Sequence, residues 1–273
     1  MSTVTSRDGT RIAVSRAGQG PALVLVDGAL CSRAFGPMPG YAKRLAGHFT
    51  VHWYDRRGRN ESGDAPAYQV EREVEDLAAV LAEAGGTPYV FGTSSGAALA
   101  LHGALAGLPM AKLLLYEPPY LPVPPGGTTA AGHAEALWAL VREDERAKAV
   151  HYFMCSVVGM PNLLGYVFRL MPMWGKLKAV AHTLPYDLTI LAQEAPFSPA
   201  AQALAVPTLL AGGGKSPPPL KAAVTRVAGA LPGASLRWVE GQTHNLGADA
   251  AVALMRDYFL GDVDSGVARA TVG

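Results

Sequence analysis

Six short runs rich in apolar and β-branched residues, at residues 22–26, 51–54, 89–91, 112–116, 207–211 and 235–239, are separated by segments of helical character. Strands that read as unbroken apolar runs are buried on both faces, and their alternation with helices is the pattern of a parallel sheet covered on both sides. The expected fold class is therefore α/β, a mostly parallel central sheet with helices on both faces. Ahead of the sheet, Asp8-Gly9 between residues 3–6 and 11–15 reads as the turn of a leading β-hairpin. Between the second and third runs, Val70, Val74, Leu77 and Leu81 recur at helical spacing, and Glu71, Arg72, Glu73, Glu75 and Asp76 are expected on the solvent face of that helix. The longest apolar stretch, residues 97–116, is broken by His102, Gly103, Gly107, Pro109 and Lys112, so it reads as a buried helix and a buried strand rather than a membrane span.

The alternation lapses after Tyr116. Pro118, Pro119, Pro122, Pro124 and Pro125 open a segment that returns to strand-like sequence only near Val206, far longer than an ordinary connection. An inserted helical cap is expected over residues 119–203, carried by a core made of residues 1–118 and 204–273. Its aromatic and methionine residues, among them Trp138, Phe153, Met154, Phe168 and Trp174, point to an apolar roof over whatever site the core supplies. The polar tail after Leu260 is expected to be loosely held.

Gly92-Thr93-Ser94-Ser95-Gly96 lies directly after the run 89–91 and directly before the helix-like Ala97-Ala98-Leu99-Ala100-Leu101. As a bare G-x-S-x-G pattern it also fits a glycine-rich turn with an incidental serine, but strand, sharp turn, small flanking residues and immediate helix are what a nucleophile elbow requires. A serine hydroxyl needs a base to remove its proton, and in this topology the base is a histidine late in the chain. His244, in Gly241-Gln242-Thr243-His244-Asn245 after the last strand-like run and before a final amphipathic helix, fits that place. His48, His52 and His102 read as structural.

With Leu23-Val24-Leu25-Val26-Asp27-Gly28, Asp55-Arg56-Arg57-Gly58-Arg59-Asn60-Glu61-Ser62, the elbow and His244 in this order, the chain resembles the α/β-hydrolase superfamily along almost its whole length. The second segment is similar to the family's D-x-R-G-x-G-x-S loop with Asn60 in place of the second glycine. The first corresponds to the His-Gly oxyanion loop with Asp27 in place of histidine. The resemblance implies an oxyanion hole from the backbone N–H groups of Ala29 and Ser95. Asp27 then either bonds the local backbone or transfers protons in less usual chemistry. The family's commonest acid position, after the strand preceding the histidine strand, holds Gly212-Gly213-Gly214 and no acid. Glu117, at the end of run 112–116, matches the alternative acid position of haloalkane-dehalogenase-like members, with Asp187 as a second choice. A serine at the elbow instead of an aspartate speaks against dehalogenation.

Lys plus Arg at 23 against Asp plus Glu at 22 leaves no field that would favour nucleic acid or an anionic membrane as partner. Two cysteines, Cys31 and Cys155, make neither a disulfide framework nor a zinc site, and the first residues lack the apolar core of a signal peptide, so a cytoplasmic location is expected. Gly214-Lys215-Ser216 lacks the upstream glycine of a P-loop. The expected function is that of a serine hydrolase needing no cofactor or metal and acting on a medium or large apolar ester, lactone or thioester. A non-hydrolytic cyclase, lyase or acyl transferase on the same scaffold is the alternative, and a ligand receptor a third.

Overall fold

The computed structural model describes residues 2–261, and the tail beyond them lies outside the described residues. The chain forms strands β1 (Ser2–Thr5), β2 (Arg11–Ala17), β3 (Ala22–Val26), β4 (Thr50–Tyr54), β5 (Tyr89–Thr93), β6 (Leu113–Tyr116), β7 (Thr208–Gly213) and β8 (Ser235–Val239). They make one sheet in the order β1-β2-β4-β3-β5-β6-β7-β8. The leading hairpin β1–β2 is antiparallel and joins β4 antiparallel, while β3 to β8 all run parallel.

Each parallel strand divides its side chains between two cores. In β3, Val24 and Val26 enter one and Leu23 and Leu25 the other; in β6, Leu113 and Leu115 oppose Leu114 and Tyr116. Both faces are covered, which is why these strands read as unbroken apolar runs. Helices α1 (Met38–Leu45) and α10 (Ala248–Leu260) close the second core with Met38, Leu45, Leu254 and Phe259. Helices α2 (Val70–Ala84), α3 (Ser95–Leu105) and α9 (Pro218–Ala230) close the first. Apolar on every side, α3 is buried accordingly.

Between β6 and β7 the chain builds α4 (Ala130–Arg142), α5 (Arg146–Tyr152), a π-helical turn at Phe153–Val157, α6 (Asn162–Phe168), α7 (Trp174–Ala179) and α8 (Leu184–Ala192). Thr129 caps α4, its hydroxyl accepting the Gly132 N–H at 3.1 Å. Helix α8 packs on α3 and α4, so Leu137, Leu184 and Leu188 continue the core of the sheet. Part of the insertion faces outward instead: Leu163 and Leu170 are 75% and 86% exposed.

One expectation is corrected. Glu73 and Asp76 of α2 do not face solvent; both are about 1% exposed. Three buried arginines that follow β4, Arg56, Arg57 and Arg59, need counter-charges, and α2 supplies two of them. Arg56 binds Glu73 at 2.7 Å and Arg57 binds Asp76 at 2.7 Å. Among the described residues no helix is long and apolar enough to cross a membrane.

Candidate active site

Ser94 sits where β5 turns into α3, with φ 55° and ψ −130°. This positive-φ conformation costs a β-substituted residue of order 1–3 kcal/mol and is sustained by the surrounding structure. The Ser94 N–H donates to the Tyr116 carbonyl at 2.9 Å, and its own carbonyl accepts the Ala97 N–H at 3.0 Å. The flanking glycines are required by space. A Cβ at Gly96 would lie 2.4 Å from the Val26 and Asp27 carbonyl oxygens, and one at Gly92 2.7 Å from Ala97 Cα. The serine is thereby lifted to the carboxyl edge of the sheet.

The loop after β3 lies against it. A Cβ on Gly28 would be 3.0 Å from Ser94 Cβ and 3.5 Å from its Oγ, so the Asp27–Gly28–Ala29 backbone and the elbow share one surface. Of the residues expected to form the oxyanion hole, Ala29 follows Gly28 in the loop after β3 and Ser95 opens α3 directly after Ser94, at the ends of the adjacent strands β3 and β5. Asp27 is 4% exposed. Its Oδ1 accepts the Gly28 N–H at 2.9 Å, whereas Oδ2 is buried without a well-formed hydrogen bond. Burial pushes its carboxyl up to about 7 against the pull of the Gly28 bond and of Arg59 and Arg56.

His244 lies in the loop after β8, and its Nδ1 is 2.8 Å from Glu117 Oε2. Glu117, fully buried at the end of β6 with φ 48°, spends its other oxygen on the Gly213 N–H at 2.7 Å. The glycines at the commoner acid position are explained by the same geometry. A Cβ at Gly212 would meet the Trp238 ring at 2.5 Å and one at Gly213 the Gln242 carbonyl oxygen at 2.5 Å, so the end of β7 offers a backbone donor in place of a side chain. Tyr116 donates its hydroxyl to the Thr243 carbonyl and holds the histidine loop from below. Ser94, Glu117 and His244 therefore project from the carboxyl ends of β5, β6 and β8 in a sheet whose order is β5-β6-β7-β8.

Asp187, the second choice for the acid, has other partners. Its Oδ1 accepts from the Ser95 hydroxyl at 2.7 Å and from Arg56 at 2.6 Å, and both oxygens accept from Arg59 at 2.9 and 2.8 Å. Burial raises this carboxyl, but the two guanidinium groups overcome that and hold it below the ordinary range. This buried group was not anticipated from the sequence; its signal was the density of arginines in Arg56-Arg57-Gly58-Arg59, charges that a core accepts only with partners. Of the other histidines, His102 bonds the Ile190 carbonyl at 3.2 Å and His133 the Tyr152 hydroxyl at 2.9 Å. Among the described residues there is no group of His, Cys, Asp and Glu that could hold a metal ion.

Residues 17–256 match the model of the alpha/beta hydrolase family. A crystal structure of an alpha/beta hydrolase from Sphaerobacter thermophilus is 45% identical, with the match covering 94% of this chain and 100% of that one at a TM-score of 0.83. A hydrolase from Pseudomonas aeruginosa (22% identical, 95% and 98% covered, TM-score 0.71) and an enol-lactonase from Burkholderia xenovorans (19% identical, 95% and 100% covered, TM-score 0.66) share the fold. No curated protein matches.

Proposed function

The chain belongs to the alpha/beta hydrolase family, and from that membership we propose that it cleaves a carboxylic ester, lactone or thioester through an acyl-enzyme on Ser94. The observation that carries the reading is the bond between His244 Nδ1 and the fully buried Glu117 carboxylate at 2.8 Å, in a chain whose elbow serine is held at positive φ. A carboxylate on Nδ1 keeps the proton there and leaves Nε2 unprotonated, the tautomer that a general base needs.

Ser94 Oγ attacks the carbonyl carbon while His244 Nε2 takes the hydroxyl proton. The carbonyl oxygen becomes an oxyanion that accepts from the Ala29 and Ser95 N–H groups. Collapse breaks the bond to the leaving alcohol or thiol, which receives the proton from His244, and a water activated by the same imidazole releases the acid. The half-buried aromatic and thioether groups of the insertion that pack on the sheet core, such as Trp138, Phe153, Met154 and Phe168, favour an apolar acyl group. The cyclase or transferase alternative drew on two departures, Asp27 and the missing acid after β7. Glu117 supplies the acid, and only Asp27 still speaks for it.

Intact-mass analysis after fluorophosphonate treatment tests the reading, alongside hydrolysis of p-nitrophenyl esters, lactones and acyl thioesters. One adduct is expected on the wild type and none on Ser94→Ala, with labelling of His244→Ala slowed by about 10³-fold or more. A folded wild type that takes no adduct would overturn it.

A further inference from the structure

The two donors of the oxyanion hole stand on different elements, Ala29 in the loop after β3 and Ser95 at the start of α3, yet a single carboxylate from the helical insertion reaches the surroundings of both. Arg59 Nη1 donates to the Gly28 carbonyl and, at 3.3 Å, to the Cys31 carbonyl. The Gly28 carbonyl and the Ala29 N–H belong to one peptide group, planar and trans, so a donor that fixes the oxygen also fixes the direction of the N–H on the opposite side. A cation on that oxygen polarises the peptide and strengthens its N–H as a donor. Arg59 is in turn held by both oxygens of Asp187 and, through Nε, by the Thr183 hydroxyl at 3.2 Å. The same Asp187 Oδ1 accepts from the hydroxyl of Ser95, whose backbone supplies the second donor. Arg59 and Asp187 are each about 1% exposed, so bulk water does not dilute these contacts.

We propose that Arg59 and Asp187 are positioning residues for catalysis: Asp187, on α8 of the insertion, anchors Arg59 on the Gly28–Ala29 peptide and Ser95 on the elbow, and so sets both halves of the oxyanion hole. The insertion then contributes to the chemical step as well as to covering the site. The proposal rests on the hydrolytic reading above.

The test measures kcat and KM for a p-nitrophenyl ester, normalised to the Ser94 sites titrated by fluorophosphonate, together with the affinity for an alkyl trifluoromethyl ketone. The hemiketal formed when Ser94 Oγ adds to the carbonyl of such a ketone places an oxyanion in the hole, which makes its affinity a measure of the transition state rather than of substrate binding. Asp187→Asn and Arg59→Lys should each lower kcat per site by roughly 10- to 100-fold, less than the loss of a whole donor, with KM within about threefold and the ketone weakened in parallel. Ser95→Ala keeps its N–H but detaches the elbow from Asp187, and about a 3- to 10-fold loss is expected; it decides the matter if the other two do not fold. Purely structural residues would lower the melting temperature and the number of titratable sites while leaving kcat per site and ketone affinity unchanged, and that result overturns the proposal. A wild type that labels and turns over beside unaffected variants overturns the positioning role alone. A wild type that neither labels nor turns over removes the hydrolytic reading and this one with it.

Discussion

Asp27 stands where the related loop carries histidine, and its buried carboxyl has the Gly28 N–H on Oδ1 and the Cys31 thiol beside it, with no well-formed bond on Oδ2. Burial outweighs that bond and the nearby arginines, and the native carboxyl is pushed up to about 7. In the unfolded chain an aspartate releases its proton at about pH 3.9. Between about pH 4 and 7 the native state therefore holds a proton that the unfolded state has lost, so stability falls as pH rises through this window and levels off above it. An asparagine in its place would imitate the protonated form and keep the bond to Gly28. Asp27→Asn is expected to gain on the wild type with rising pH, by on the order of 4 kcal/mol between about pH 4 and 8, in urea unfolding at matched ionic strength. Convergence of the two proteins at high pH would show that Asp27 is ionised and paired. At this scale the placement of the candidate residues was legible: Ser94, His244 and Glu117 each follow an apolar run that ends at the same edge of a parallel sheet. Asp27's surroundings were not, because Gly36, whose added Cβ would lie 2.8 Å from Oδ2, stands outside the loop motif that Asp27 opens.

Among the elements, the strands were legible because burial on both faces writes itself as unbroken Leu, Val and Tyr. Helix α2 was legible only by half. Its apolar stripe at Val70, Leu77 and Leu81 fixes the inward face, but Glu73 and Asp76 are also buried, since the loop after β4 brings arginines to that side. A helical pattern records which residues are polar and says nothing about which polar partners another element delivers. Arg56 shares Asp187 with Arg59 and has Glu73 for its own, bound through Nε at 3.1 Å and Nη2 at 2.7 Å. Glu73→Gln would leave a buried guanidinium short of charge, a change expected to cost about 3–5 kcal/mol in denaturant unfolding. The double change Glu73→Gln with Arg56→Met should recover part of that loss, because the charge that was left unpaired is gone. Additive losses would place the cost in packing instead.

For the molecule as a whole, the question is whether residues 119–203 fold with the sheet or by themselves. Along the chain they are an insertion, opened by prolines and closed before β7. In space, Leu137, Val150, Leu184 and Leu188 belong to one contiguous apolar cluster with Val24, Val90 and Leu113 of the sheet. The buried ion group spans the same boundary, with Asp187 from α8 and Arg56 and Arg59 from the loop after β4. Detaching the insertion would expose an apolar face and leave two buried arginines without their shared carboxylate, so its separate opening is costly compared with a total stability of roughly 5–15 kcal/mol. Unfolding should then be a single transition. The four tryptophans make this measurable: Trp53 and Trp238 lie on β4 and β8, Trp138 and Trp174 on α4 and α7. A variant that keeps only the first pair and one that keeps only the second should each show a fluorescence midpoint in urea that coincides with its own far-ultraviolet circular dichroism. If the second pair reported a lower midpoint than the circular dichroism of the same variant, the insertion would be an independent unit. Its contacts with the oxyanion loop would then be made and broken in the native state, and the hole would be assembled only while α8 is docked.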